Sequence, residues 1–249
     1  MGLIKTKQQI EGIIESANIN TAVLDHVAAH IKAGMTTEDI NKLVHDFTVA
    51  HGAIPAPLNY CGFPKSVCTS INHEVCHGIP SKDVVLKDGD IINVDVSTIY
   101  KGYFSDASRM FMIGEVSEEA RKLVEVTREC MQKGIETVKP NAYLGDIGAA
   151  ILAHARANGY SVVREIGGHG IGLEFHEDPY VSHVSRAGTG IRLEPGMIFT
   201  IEPMVNIGTA RVREDKKNGW TIYTADNKLS AQWESMILVT EDGYKILTC

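Results

Sequence analysis

The chain has 249 residues, 44% of them hydrophobic and 22% charged, a composition that fits a folded globular protein and excludes a disordered or fibrous one. The formal net charge of -7 argues against nucleic acid as a partner. No apolar run reaches the about 18 residues of a membrane span, and Met1 to Lys7 carries no signal-peptide pattern.

In chain order, 5–33 reads as helix. Ile10, Ile13, Ile14 and Ala17 make one stripe, Leu24, Val27, Ala28 and Ile31 another, and Gly34 is the stop. Thr36 or Thr37 caps a second helix with Ile40, Leu43, Val44 and Phe47 inward, ending near Gly52. Residues 53–82 are rich in Pro, Gly, Asn and Cys and read as loop, with one short strand at 66–71. Strands are expected at 91–97 and 103–112, joined by a tight turn at 99–102, so strand parity puts Asp95 and Asp106 on one face. Ser117 caps a third helix, with Leu123, Val124 and Thr127 inward and a break at Pro140. A fourth helix spans 143–157 and stops at Gly159. Strands are then expected at 162–166, 197–201 and 232–239, with a polar hairpin near 210–224. No linker divides the chain, so 1–249 is expected to form one domain. Of the five cysteines none lies in a CxxC pair, and free thiols in a reducing cytoplasm are expected.

Two stretches share one offset. Leu86, Gly89, Ile91, Val94 and Asp95 correspond to Leu193, Gly196, Ile198, Ile201 and Glu202, each 107 residues on. Asp39-Ile40 and Gly52 map onto Asp146-Ile147 and Gly159 by the same shift. An internal duplication of about 5–112 and 117–240 is expected, with Asp95 and Glu202 meeting at its centre.

Five residues stand in apolar or glycine-rich contexts that do not solvate them freely: Asp95, Asp106, His169, Glu202 and Glu234. Singly, each strand acid reads as a salt-bridged or solvated residue, and His169 as a loop residue. Gathered together, four carboxylates and an imidazole demand positive charge. Two divalent cations supply it, and oxygen-rich ligation with one nitrogen suits Mn, Fe, Co or Zn.

The resemblance lies in Asn72-His73-Glu74-Val75-Cys76-His77-Gly78-Ile79-Pro80, in 90–95, and in Tyr103-Phe104-Ser105-Asp106. It continues through Gly168-His169-Gly170-Ile171-Gly172, His176-Glu177-Asp178-Pro179, Thr200-Ile201-Glu202-Pro203 and Leu229-Ser230-Ala231-Gln232-Trp233-Glu234. These run in order over nearly the whole chain, which resembles the type I methionine aminopeptidases of the pita-bread metallopeptidase fold. The short turn at 214–219 leaves no room for the helical insertion of the type II members. The resemblance implies an α+β fold of pseudo-two-fold duplicated helix/strand halves around a curved antiparallel sheet. It implies removal of N-terminal methionine from nascent proteins when the second residue is small. Asp95 would chelate one metal, Asp106 and Glu234 would bridge both, and His169 and Glu202 would complete the second site. Glu202 would also shuttle the proton, and His77 and His176 would contact the scissile amide. Tyr60, Phe63, Cys68, Phe175 and Trp220 match the family's methionine pocket, while Cys61 and His73 depart from its pattern at the expected rim. A monovalent cation near Asn72, Glu74 or Val75, and Ser230 is implied too, as are a monomeric state, a cytoplasmic location and association with the ribosome.

Two other readings compete. His73-Glu74-Val75-Cys76-His77 matches HExxH, a zinc-protease motif that works only on a helix; Gly78 and Pro80 follow too soon for one. A non-catalytic pita-bread binding module would have lost ligands, and this chain keeps all five.

Overall fold

The computed structural model describes residues 2–249. α1 (Lys7–His30) begins at Thr6, whose hydroxyl accepts the Gln9 amide while Gln9 Oε1 accepts the Thr6 amide. This capping box satisfies two donors that the first turn leaves over. The helix is shorter than the expected 5–33: Lys5 lies in an extended lead-in, and Ile31 is already extended. α2 (Thr37–Ala50) is capped by Thr36 with Asp39 in the reciprocal role.

The Pro- and Gly-rich stretch yields three strands where one is expected: β1 (Ile54–Pro55), β2 (Cys68–Ile71) and β3 (Glu74–Cys76). β4 (Ile91–Tyr100) and β5 (Tyr103–Met112), ten residues each, form a hairpin closed by Lys101 and Gly102, with φ of 50° and 83°. Two positive φ values suit the right-handed twist of the flanking strands. α3 (Glu118–Ile135) is capped by Ser117 and ends before Pro140; α4 (Leu144–Ala157) follows.

The rest is strand and loop: β6 (Ser161–Val162), β7 (Gly168–Gly170), β8 (Glu177–Val181), β9 (Ile198–Ile201), β10 (Met204–Asn206), β11 (Val212–Glu214), β12 (Ile222–Thr224), β13 (Ser230–Gln232), β14 (Ser235–Val239) and β15 (Tyr244–Ile246). The expected strand at 162–166 shrinks to β6, and the one at 232–239 splits into β13 and β14 around Trp233-Glu234. β7, β8, β10 and β15 carry no sequence signal: β7, β10 and β15 have three residues each, too few to alternate, and Pro179 interrupts the pattern of β8.

The α+β class and the antiparallel pairing stand. The expected single sheet is divided into four ladders: β1–β4–β2 with β5 on β4, β15–β14–β9–β7–β8, β13–β10–β6, and β11–β12–β3. A bridge between Ser108 and Glu234 joins the two larger ones, the Glu234 amide donating to the Ser108 carbonyl at 3.1 Å. No helix among the described residues is long and apolar enough to cross a membrane.

Each helix pair covers one face of one large ladder. Val23, Leu24 and Val27 of α1, with Ile40 and Val44 of α2, pack on Ile92, Val94, Val96 and Ala107. Leu123 and Val124 of α3, with Ile147 and Ile151 of α4, pack on Phe199, Ile201 and Ile237. Side chains alternate across a strand. With Val94, Val96 and Ala107 committed to the helices, Asp95 and Asp106 face the other way, and with Phe199 and Ile201 committed, so do Thr200 and Glu202.

The offset of 107 reappears in the backbone. It carries α2 onto α4 end for end. It also carries the bridge Thr36–Val85 onto Tyr143–Arg192, and the bond from the Gly34 amide to the Leu86 carbonyl onto that from Asn141 to Leu193. Gly89 and Gly196 match in φ, 93° and 91°.

Candidate metal centre and substrate pocket

Between the two ladders lies a cavity of about 440 Å³. Asp95, Asp106, His169, Glu202 and Glu234, with His77, His176, Tyr60, Phe63, Cys68, Phe175 and Trp220, all line it. β4 and β5 deliver Asp95 and Asp106, β7 delivers His169, the end of β9 Glu202, and the break between β13 and β14 Glu234. One ligand atom each of Asp106, His169 and Glu234 lie within 4.8 Å of one another. His169 Nε2 is 3.8 Å from Asp106 Oδ2 and 3.7 Å from Glu202 Oε1.

His169 reaches this point because its neighbours are glycines. A Cβ on Gly168 would lie 2.3 Å from the Thr200 carbonyl oxygen, and one on Gly170 2.0 Å from that of Asp178. Only bare backbone lets β7 fit between β8 and β9. The Nδ1–H of His169 donates to the Gly170 carbonyl at 3.0 Å, which leaves the Nε2 lone pair facing the carboxylates. A lone pair aimed at carboxylates is repulsive unless a cation stands between, and a backbone-held imidazole is the usual arrangement of a metal-ligating histidine.

Burial, with repulsion from neighbouring carboxylates, pushes Asp106 and Glu234 well above the usual carboxylate range. Burial raises Asp95 to about 7 against its contact with Asp106, and Glu202 to about 8 against the Thr200 hydroxyl. Asp95 Oδ1 is buried with no hydrogen-bond partner. None of the described residues lining the cavity is Lys or Arg. A buried acid cluster with an orphaned oxygen and no basic neighbour fits divalent cations, which would bring the missing charge.

Three side chains that the sequence does not flag hold these groups in place. Ser97 Oγ donates to Asp106 Oδ1 at 2.9 Å. Thr200 Oγ donates to Glu202 Oε1 at 2.7 Å and accepts the His169 amide at 3.0 Å. Gln232 Nε2 donates to Glu202 Oε2 at 3.2 Å. Thr200 and Gln232 each stand two residues before an acid, a same-face spacing that could have marked them. His183, buried, accepts the Glu202 amide at Nε2.

The aromatic wall closes one end. Phe63 and Trp220 meet edge to face at 5.1 Å, Tyr60 and Phe175 at 4.8 Å. His176 Nδ1 is 3.0 Å from the Tyr60 hydroxyl, and its ring is 4.2 Å from that of His169. Burial lowers His77 to about 4 and lowers His176 as well, so both are neutral near pH 7. Cys61 and His73 do not line the cavity. Cys61 is exposed, and His73 stacks on Tyr223 at 5.3 Å across β3 and β12. Glu165, Asp178 and Tyr180 are exposed residues of the lining. The HExxH reading falls: Glu74–Cys76 is a strand and His77 has φ of 57°, so no helix turn joins the two histidines.

The shifted groups set an expected pH response. Asp95 and Glu202 hold protons more tightly folded than unfolded, so the stability they add is complete below about pH 4 and is lost as pH rises to about 8. His169 and His183, lowered by burial to about 3 from 6.5, oppose this by costing stability as pH falls below 6.5. Above 6.5 only the carboxylates count. The metal-free protein is expected to lose thermal stability between pH 6.5 and 8, with a divalent cation restoring most at the upper end. Calorimetry with and without chelator checks it, and a flat metal-free profile over that window counts against the uncompensated cluster.

The sequence pattern of metallopeptidase family M24 matches residues 11–241. Methionine aminopeptidase A of Synechocystis sp. is 54% identical over 245 residues, covering 98% of this chain and 96% of that protein. The crystal structure of methionine aminopeptidase from Rickettsia prowazekii superposes with a TM-score of 0.97 at 48% identity, covering 99% of each chain. That of the Thermotoga maritima methionine aminopeptidase gives 0.96 at 39% identity, covering 98% of each. With the acid cluster built by the same fold over the same length, the chain belongs to metallopeptidase family M24.

Proposed function

We propose that this protein is a metal-dependent aminopeptidase that removes N-terminal methionine from proteins and peptides whose second residue is small. The observation that carries the reading is the buried Asp106–His169–Glu234 cluster, flanked by Asp95 and Glu202, at the mouth of an aromatic pocket. The five residues would hold two divalent ions drawn from Co, Mn, Fe or Zn. When bound, such ions supply Lewis acidity and an activated water.

The chain's own groups do the rest. Tyr60, Phe63, Phe175 and Trp220 enclose the methionine side chain, and the Cys68 thiol with the ring edges suits its sulfur. His77 and His176 contact the scissile amide. Glu202, oriented by Thr200 and Gln232, takes a proton from water and passes it to the leaving amine. The orphaned Ser230 hydroxyl, whose amide donates to the Asn72 carbonyl, is consistent with a monovalent cation there.

A one-methylene misfit in such a pocket costs about 1–3 kcal/mol, and a clash beside the ligands more. Met-Ala peptides are therefore expected to turn over at least ~10²-fold faster than Met-Leu peptides. Equal rates after metal loading would mean an open site and sink the small-residue preference.

We read 1–249 as one catalytic domain of two copies, about 5–112 and 117–240, supported by the backbone bonds that share the offset. The calorimetric scans test this too, since two separated transitions would count against one domain. We also place the protein as a cytoplasmic monomer acting on nascent chains at the ribosome. Its five cysteines are all free, and exposed Arg211, Arg213, Lys216 and Lys217 cluster on the β11–β12 hairpin of an otherwise acidic chain. Reversing these four charges is expected to abolish low-salt cosedimentation with ribosomes. Unchanged cosedimentation removes the docking proposal, and a dimer in sedimentation velocity the monomer.

A further inference from the structure

Lys5 is buried, and its ammonium donates to Glu177 Oε2, 172 residues away. The two side chains are 1% and 6% exposed, so this is a buried ion pair. Glu177 already accepts twice at Oε1, from the amides of Leu173 at 2.7 Å and Glu174 at 3.0 Å. Its carboxylate thus gathers the turn that carries Phe175 and His176. The first end of that turn is held by the Phe104 amide on the Gly172 carbonyl at 2.9 Å. A Cβ on Gly172 would meet Ile13 Cδ1 at 2.4 Å and Lys5 Cε at 3.7 Å, so α1 and its lead-in press directly on it. Lys5 is itself fixed, its amide donating to the Gly196 carbonyl at 2.9 Å beside the Ile4–Met197 bridge that leads into β9. By contrast His176 is exposed, and its one hydrogen bond among the described residues is to Tyr60.

A buried ion pair is weak evidence for stability, because apolar groups of similar volume often serve as well. Here the pair joins the chain's lead-in to a turn that brings Phe175 and His176 to the cavity. We propose that Lys5 is a positioning residue for His176 and Phe175, acting through Glu177. This rests on the aminopeptidase reading, in which His176 touches the scissile amide.

Lys5→Met is expected to lower kcat/KM for a Met-Ala peptide by ~10–100-fold, the scale of a 1 Å misplacement, with metal content unchanged. Lys5→Arg should recover most of the loss. In a Phe175→Ala/His176→Ala background the same Lys5→Met change should cost less than about twofold, since residues acting through the same groups are not additive. An equal loss in both backgrounds, or no loss in the first, overturns the proposal. If Lys5→Met does not fold, Lys5→Met/Glu177→Gln leaves no lone buried charge, keeps a side-chain oxygen that can accept the Leu173 and Glu174 amides, and is compared with Glu177→Gln alone, with the same expected results. Amide exchange supplies a readout without turnover: the Leu173 and Glu174 amides should exchange faster while α3 keeps its protection, and unchanged exchange there also overturns the role. If the unaltered, metal-loaded protein releases no methionine, the aminopeptidase reading fails, and exchange still decides the part of Lys5.

Discussion

Asp106→Ala is expected to remove bound divalent metal and peptidase activity together. Asp106 stands at the centre of the cluster, with Ser97 on one oxygen and His169 Nε2 3.8 Å from the other, and Glu234 in the same group. Even the outer partners of metal ligands cost about 10–100-fold in affinity or activity when lost, so an inner one should exceed ~10²-fold in both. The metal-free variant should be no less thermostable than the metal-free parent, because deleting one of several crowded carboxylates relieves the repulsion that raises Asp106 and Glu234. Elemental analysis, turnover and a melting scan read the three outcomes. Normal metal content with normal turnover would refute Asp106 as a ligand.

Glu202→Gln is expected to lower kcat by ~10²–10⁴-fold, the usual scale for losing a general base, while the fold persists. Its backbone anchor, the hydrogen bond its amide N–H donates to His183 Nε2 at 3.1 Å, does not involve the side chain. An amide can still accept from Thr200 at one end. At the other, its NH₂ would confront the Gln232 NH₂ that now donates at 3.2 Å, so some loss of orientation adds to the loss of proton transfer. Steady-state kinetics with metal in excess separates the cases. A change in KM alone would make Glu202 a binding residue, and the proton shuttle would have to be sought elsewhere.

Helices were legible where cap and stripe agree. Thr36, Asp39, Ser117 and the apolar positions of α2, α3 and α4 mark their elements to within a residue or two at most ends. The β4–β5 hairpin was legible too, because ten-residue strands give enough alternation to fix register, and register alone puts Asp95 and Asp106 on one face. The repeated spacing was visible in the letters, and backbone features share the same offset of 107.

The letters also marked residues that the fold gathers at one cavity. Acids inside apolar strands and a histidine between glycines are costly unless used, and that cost shows in the letters alone. What those letters meet depends on how the chain folds. Short strands such as β3 and β7 hold their shape through neighbours, not propensity, so they appear only once β12, β8 and β9 are in place. His73 stands outside the cavity lining, its ring stacked on Tyr223 beside β3. Lys5 and Glu177, and Gln232 and Glu202, find each other only in three dimensions. A hydrogen bond or ion pair depends on a few ångströms between side chains, and local sequence does not encode distance between segments far apart in the chain.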